Sequence, residues 1–281
     1  MSMRTRLRAL PQGWYPESAS EIEALAAEWS RGGLLSGALP GARAAIAPHA
    51  GWAFSGRIAA TSILALAEAE TVAVIGGHLP PGYRLLAAPE DFYETSLGPF
   101  ERDAELYEAL AGRLSLTEDR AADNTVEIQL PLLKALKPAA RILWLRAPAD
   151  GKAIELGKAL AAAASELGRS LVCLGSTDLT HYGPDYGFEP AGRGEAAETW
   201  VRETSDRGFI DALLALDPEA AIVRGEKGAA CSSGAAAAAL AFALAAAPEA
   251  KAVEPKLLAY ATSLEVRKAA SFVGYASLAF Y

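Results

Sequence analysis

The chain has 281 residues, of which 52% are apolar, and carries a formal net charge of −8. The length is close to the upper limit for one hydrophobic core, and the apolar share is enough to fill it. An acidic chain repels phosphate backbones and anionic lipid, so neither nucleic acid nor a membrane surface is expected as a partner.

The N-terminal stretch Met1–Gly13 is positively charged but has no apolar run ahead of Pro11, so no secretory leader is read there. Ser18 and Glu21 have capping-box spacing before a helix over Glu21–Trp29. Short apolar runs at Ala44–Ala47, Thr71–Ile75, Ile142–Leu145, Leu171–Leu174 and Leu257–Ala261 predict buried strands. Helical spacing between them predicts helices over Ile58–Glu68, Ala104–Leu114, Val126–Leu136 and Ile154–Leu167. The Ala-rich run Gly234–Ala247 falls short of the roughly 20 residues a bilayer span needs, so it reads as a buried helix. The final segment, Ser271–Phe280, alternates and reads as an edge or antiparallel strand.

Strands that are apolar on both faces and alternate with helices predict an α/β fold with a mainly parallel or mixed central sheet flanked by helices. No repeat or linker divides the chain, so a single domain over residues 1–281 is expected. The loops Pro80–Arg102 and Thr180–Gly194 are long, as functional loops often are. Two cysteines, Cys173 and Cys231, do not make a disulfide framework, and the expected compartment is the cytoplasm.

The chain has three histidines, His49, His78 and His181, and each follows an apolar strand candidate. Ligands of open α/β sheets bind beyond the carboxyl ends of the strands, so three strand exits can bring three imidazoles to one rim. The plainer alternative is three unrelated core or loop histidines. Cys231 precedes the Ala-rich helix, where the positive end of the helix dipole favours thiolate, the metal-binding form. A small buried cysteine is the alternative there, and it is the preferred reading for Cys173 inside its strand.

Asp178 and His181 are three apart. A helical turn would put both on one side, with the carboxylate fixing the imidazole tautomer; an Asp that merely caps a turn is the alternative. Asn124 and Glu127 have capping-box spacing. Gly192–Ala197 imitates a dinucleotide fingerprint without a strand before it and reads as a loop. Ser232 and Ser233 lack a nucleophile elbow, which argues against a hydrolase triad with His181 and Asp178.

These segments resemble, in order, the motifs of the MEMO family (mediator of cell motility), whose prokaryotic members are often called AmmeMemoRadiSam system protein B. The carriers are GWYP at Gly13–Pro16, PHAGWAFSG at Pro48–Gly56, GGHLP at Gly76–Pro80, DNTVEIQLPLL at Asp123–Leu133, STDLTHYG at Ser176–Gly183, and the closing AYATS and FVGYASLAF. The family fold is similar to that of LigB-type class III extradiol dioxygenases, which hold a non-haem Fe(II). The resemblance implies that His49, His78 and Cys231 take metal-ligand positions. It also implies that Asp178 and His181 line the pocket as catalytic groups, with His181 as the acid/base. Asn124 stands where the family has a histidine, Leu79 replaces a second one, Ser232-Ser233-Gly234 departs from the segment after the cysteine, and Ser263-Leu264-Glu265 replaces a common SGD.

The expected function is a protein with one metal ion, Fe(II) in the first place and Cu(I) or Zn as alternatives, that performs dioxygenase-like redox chemistry on a small molecule. The alternative is a non-catalytic binder of metal or peptide, acting beside a radical-SAM partner protein.

Overall fold

A computed structural model describes residues 3–31, 40–247 and 253–281; Met1 and Ser2 of the leader reading lie outside them. The strands in chain order are Thr5–Arg6 (β1), Ala44–Ala47 (β2), Thr71–Gly76 (β3), Leu85–Ala87 (β4), Phe92–Tyr93 (β5), Phe100–Glu101 (β6), Leu116–Glu118 (β7), Arg141–Arg146 (β8), Leu171–Ser176 (β9), His181–Tyr182 (β10), Pro255–Thr262 (β11) and Phe272–Phe280 (β12). The helices are Ala19–Arg31 (α1), Trp52–Ala65 (α2), Ala104–Ala111 (α3), Asn124–Glu127 (α4), Leu130–Leu136 (α5), Gly151–Glu166 (α6), Glu195–Trp200 (α7), Asp206–Leu214 (α8), Pro218–Lys227 (α9) and Ser233–Ala246 (α10).

The fold is mixed α/β. Nine strands form the central sheet in the order β10-β12-β2-β9-β3-β8-β4-β7, with β11 also paired to β12. The middle of the sheet, β2-β9-β3-β8, is parallel throughout. Antiparallel pairs then extend it at both sides, β12 on β2 and β4 on β8. Strand residues alternate between two cores, as the two-residue period requires. Ile46, Ala73, Ile75, Leu143, Leu145 and Cys173 face the core that includes α6 and α10 residues. Ala45, Val72, Val74, Ile142, Trp144 and Leu174 face the core shared with α1, α2 and α5.

The four parallel strands match their sequence expectation closely, because a run buried on both faces is apolar at every position. Helix α10 also falls where the Ala-rich run placed it. Its Ala side chains allow α6 to approach so closely that a Cβ on Gly157 would lie 2.2 Å from the Ala238 carbonyl oxygen. Among the described residues, no helix is long and apolar enough to cross a membrane.

Several expectations need correction. The C-terminal strand β12 is antiparallel but not an edge: it is buried along its whole length and pairs with β2, β10 and β11. Strand β11, expected to be buried over Leu257–Ala261, has only Leu258 and Thr262 buried. Helix α2 starts at Trp52, six residues before the expected start at Ile58, because its first turn is not clearly amphipathic. The helix expected over Val126–Leu136 is two helices. Pro131 sits in the first turn of α5, where its missing N–H is tolerated, and the Ile128 carbonyl accepts from Trp52 Nε1 at 3.2 Å. The loop Pro80–Arg102 contains β4, β5 and β6.

Candidate metal centre

Strands β2, β9 and β3 are neighbours and run parallel, so their carboxyl ends share one rim. His49 leaves β2, His78 leaves β3, and the segment 177–181 leaves β9. Cys231 lies two residues before the start of α10. Ligand atoms of His49, His78 and Cys231 all lie within 4.8 Å of one another, as do those of Asp178, His181 and Cys231. The five residues singled out in the sequence therefore meet at one point, with the thiol common to both sets.

His49 is the buried member. Its Nε2 lies 3.0 Å from Cys231 Sγ and its Nδ1 3.2 Å from Ser176 Oγ. Burial pushes its imidazole pKa down to about 4, against the pull of the nearby Asp178 carboxylate. The ring is therefore neutral near pH 7, the form that binds a metal. Ser176 Oγ is itself held by Gln129 Nε2 at 3.0 Å.

His78 has a left-handed backbone, φ 56°, which is rare outside glycine. Two contacts hold it there: its N–H donates to Ser232 Oγ at 3.2 Å, and Nδ1 lies 3.1 Å from Asp123 Oδ2. Gly77 beside it leaves room for this packing, since a Cβ there would lie 2.5 Å from Ser232 Cβ. With Nδ1 held by a carboxylate, Nε2 is the nitrogen left to face a ligand.

Asp123 is anchored in turn by the buried Arg146, whose Nη2 lies 3.1 Å from Oδ2 and whose Nε donates to the Gly77 carbonyl at 2.9 Å. Burial works against the Asp123 charge, but hydrogen bonds from His78 and Thr125 and the Arg146 guanidinium hold its carboxyl well below the usual range. Asp123, not Asn124, caps α4 by accepting from the Thr125 N–H at 2.9 Å. The capping-box reading of Asn124 and Glu127 is thus overturned. Asn124 Nδ2 instead donates to the His49 carbonyl at 3.1 Å, and the Glu127 carboxylate accepts from the N–H groups of Ala9 and Leu10 and from the Tyr15 hydroxyl. Those last bonds seat the segment that carries Trp14 at the pocket.

The segment from Asp178 to His181 forms no helical turn, so the expected Asp178–His181 pair is not made. Asp178 Oδ1 accepts from the His49 N–H at 2.7 Å and the Ala50 N–H at 3.3 Å. His181 Nδ1 lies 3.1 Å from the Leu179 carbonyl oxygen. A carbonyl only accepts, so Nδ1 carries a proton, and in a neutral ring Nε2 is the nitrogen that can accept. Thr180, between them, is fixed by the buried Asp206, whose Oδ1 accepts from the Thr180 N–H at 2.9 Å. The other Asp206 oxygen accepts from the Tyr260 hydroxyl at 2.7 Å.

Cys231 departs from its electrostatic expectation. Burial pushes its thiol pKa up and the Asp178 carboxylate pushes it further, so the dipole of α10 does not make a free thiolate here. Cys173 is a buried, inert core residue. The segment Gly192–Ala197, expected as a loop, has no strand immediately before it, but its second half, Glu195–Ala197, forms the start of α7.

His49, His78, Asn124, Asp178 and His181 line a pocket of ≈ 390 Å³, whose other walls include Trp14, Phe54, Tyr186, Arg267 and Tyr275. Two imidazoles, each with its second nitrogen hydrogen-bonded, and one thiol in mutual reach fit a small thiophilic metal ion. Sequence reading missed Asp123, Arg146 and Ser176. A residue type favoured as a helix cap, directly before α4, was the available signal for Asp123; nothing in the sequence marks Arg146.

The Memo-like protein family model matches residues 6–279. A MEMO1 family protein of Thermococcus onnurineus is 33% identical over 255 residues, covering 84% of this chain and 86% of that protein. A MEMO1 family protein of Pyrococcus abyssi is 30% identical and covers 97% of this chain and 98% of its own length. Among solved structures, an uncharacterized protein of Escherichia coli K12 superposes with a TM-score of 0.51 at 12% identity, over 84% of this chain and 98% of that one, a likeness of fold.

Proposed function

Because the chain belongs to the Memo-like protein family, we propose that the cluster at its strand ends is a mononuclear metal centre serving redox chemistry on a small molecule. The observation that carries this reading is the mutual reach of His49, His78 and Cys231, with ligand atoms within 4.8 Å of one another, where the two imidazoles line an open pocket. His49 would bind through Nε2 while Nδ1 rests on Ser176, and His78 through Nε2 while Nδ1 rests on Asp123. Cys231 would bind as thiolate after giving up its proton. Fe(II) bound there would supply a reducing centre with open positions for a small molecule and dioxygen, as in dioxygenases; the thiolate also suits Zn or Cu(I).

The protein's own groups then divide the work. Asp178 holds the His49 backbone through Oδ1, and so fixes the loop that carries the imidazole. His181 Nε2 accepts a proton from the bound small molecule, and its Nδ1–H stays on the Leu179 carbonyl throughout. Tyr186 stands edge-on to the His181 ring, 4.9 Å between centroids, and restricts its rotation. Trp14 and Phe54 exclude water from one side of the pocket.

A second reading, a non-catalytic metal or peptide binder beside a radical-SAM partner, is favoured by Asn124. An amide committed to the His49 carbonyl cannot move a proton, and it occupies a place where a second acid/base group would serve turnover. Oxygen uptake by the iron-loaded protein across a panel of catechols separates the two. Uptake that is lost in His181→Ala supports the enzyme; silence across the panel favours the binder.

A further inference from the structure

Sequence spacing pairs His181 with Asp178, but Asp178 accepts from the His49 and Ala50 N–H groups instead. His181 Nδ1 rests on the Leu179 carbonyl at 3.1 Å, and that carbonyl is steered from behind. The Leu179 carbonyl and the Thr180 N–H belong to one planar peptide unit and cannot turn independently. The Thr180 N–H donates to Asp206 Oδ1 at 2.9 Å. We infer that Asp206 is the positioning residue of His181 and sets its imidazole tautomer through the peptide between Leu179 and Thr180.

The surroundings of Asp206 fix this contact. The residue is 1% exposed, and its Oδ2 accepts from the Tyr260 hydroxyl at 2.7 Å. Gly274 of β12 makes its niche, since a Cβ there would collide with Oδ2. A π-helical turn over Val201–Ser205 leads directly into α8, whose first residue is Asp206. Such turns are rare and recur at functional sites. This one delivers two consecutive side chains to Thr180, with Ser205 Oγ 2.8 Å from Thr180 Oγ1. The Thr180 carbonyl accepts from the Gly274 N–H at 3.0 Å, and the His181 N–H donates to the Ala229 carbonyl at 3.1 Å. The N–H, hydroxyl and carbonyl of Thr180 are thus all held, so the Leu179 carbonyl keeps one direction.

A carboxylate directly behind an imidazole fixes which nitrogen carries the proton. Here a peptide stands between the two. A carboxylate on the N–H side of an amide makes the carbonyl oxygen a stronger acceptor, because linked hydrogen bonds polarise one another. The chain runs from Asp206 Oδ1 through the Thr180 N–H and the Leu179 carbonyl to His181 Nδ1. It keeps a proton on Nδ1 and leaves Nε2 as the accepting nitrogen of a ring that lines the pocket. The inference rests on the proposed function only for what Nε2 does there; the tautomer belongs to the metal-free chain.

The three imidazoles can be read one by one in the metal-free full chain by long-range proton–nitrogen NMR with labelled histidine, His181→Ala identifying the His181 signals. Wild type should carry the His181 proton on Nδ1, the form a free histidine side chain disfavours. Asp206→Ala should lower the ratio of Nδ1–H to Nε2–H in His181 about tenfold, the worth of one hydrogen bond to a charged group, and leave His49 and His78 as they are. Asp206→Asn should keep the ratio, because its amide oxygen still accepts from the Thr180 N–H. Tyr260→Phe removes only the hydroxyl on Oδ2 and gives the same reading if Asp206→Ala does not fold; a smaller fall is expected there. A purely structural Asp206 would lower the unfolding midpoint without moving the ratio. A wild-type proton on Nε2, a ratio unchanged in Asp206→Ala (or in Tyr260→Phe where that alone folds), a ratio lost in Asp206→Asn, or equal disturbance of all three rings overturns the proposal. Oxygen uptake lost in His181→Ala with an unmoved tautomer leaves the proposed function standing and removes this one; the expected tautomer shift in a protein that never binds metal does the reverse.

Discussion

The Asp123 carboxylate lies 3.1 Å from His78 Nδ1, and the buried Arg146 holds the same oxygen. A carboxylate behind an imidazole fixes which nitrogen faces the ligand and raises its basicity. Asp123→Asn keeps the size and removes the charge. It should weaken metal affinity by about 10–100-fold, the usual cost of losing such a partner, as read by chelator competition. It should also lower stability by about 3 kcal/mol, because Arg146, 5% exposed, loses one of its two carboxylate partners.

Gly77 tests the strained backbone of His78. A Cβ there would meet Ser232, which receives the His78 N–H. Gly77→Ala should therefore cost about 1–3 kcal/mol in denaturant unfolding and loosen metal binding together. An unchanged unfolding midpoint with normal metal affinity would contradict the packing described here.

His181 should separate binding from turnover. It reaches the cluster but keeps Nδ1 on the Leu179 carbonyl. His181→Ala should lower any turnover by about 10²–10⁴-fold, with metal content unchanged. Equal turnover in the variant would remove its role as proton carrier.

Asp206 gives a pH signature. It is 1% exposed and burial raises its pKa above the ordinary carboxylate value, against the hydrogen bonds from Thr180 and Tyr260. The folded state thus holds the Asp206 proton more tightly than the unfolded state. Its contribution to stability is fully present below the unfolded pKa near 3.8 and is lost as pH rises through the folded value. The stability of wild type relative to Asp206→Asn should accordingly be greatest at low pH and shrink above about pH 4. A difference that grows with pH in denaturant titrations would contradict a buried, raised carboxyl.

The parallel centre of the sheet was legible because β2, β3, β8 and β9 carry the unbroken apolar runs Ala44–Ala47, Val72–Ile75, Ile142–Leu145 and Leu171–Leu174, the pattern of a strand covered on both faces. From those strand ends the convergence of His49, His78 and His181 followed. What escaped is non-local. Asp178 looked like a partner for His181 by spacing, but the loop leaves β9 extended and delivers the carboxylate to the His49 backbone, 129 residues away. Glu127 looked like a cap, but it is spent on Ala9, Leu10 and Tyr15. The thiol of Cys231 looked activated by its helix, and burial outweighs the dipole. Strand β12 looked like an edge because its Gly, Ser and Ala positions resemble a polar face; they are small because β12 is packed on both sides.

The metal content of anaerobically purified protein, with His49→Ala and Cys231→Ala prepared alongside, tests whether His49, His78 and Cys231 together hold one metal ion. One ion per chain in the wild type, lost in both variants, is the expected result. A wild type that stays empty after loading with Fe(II), Zn(II) and Cu(I), or variants that keep the ion, would contradict it.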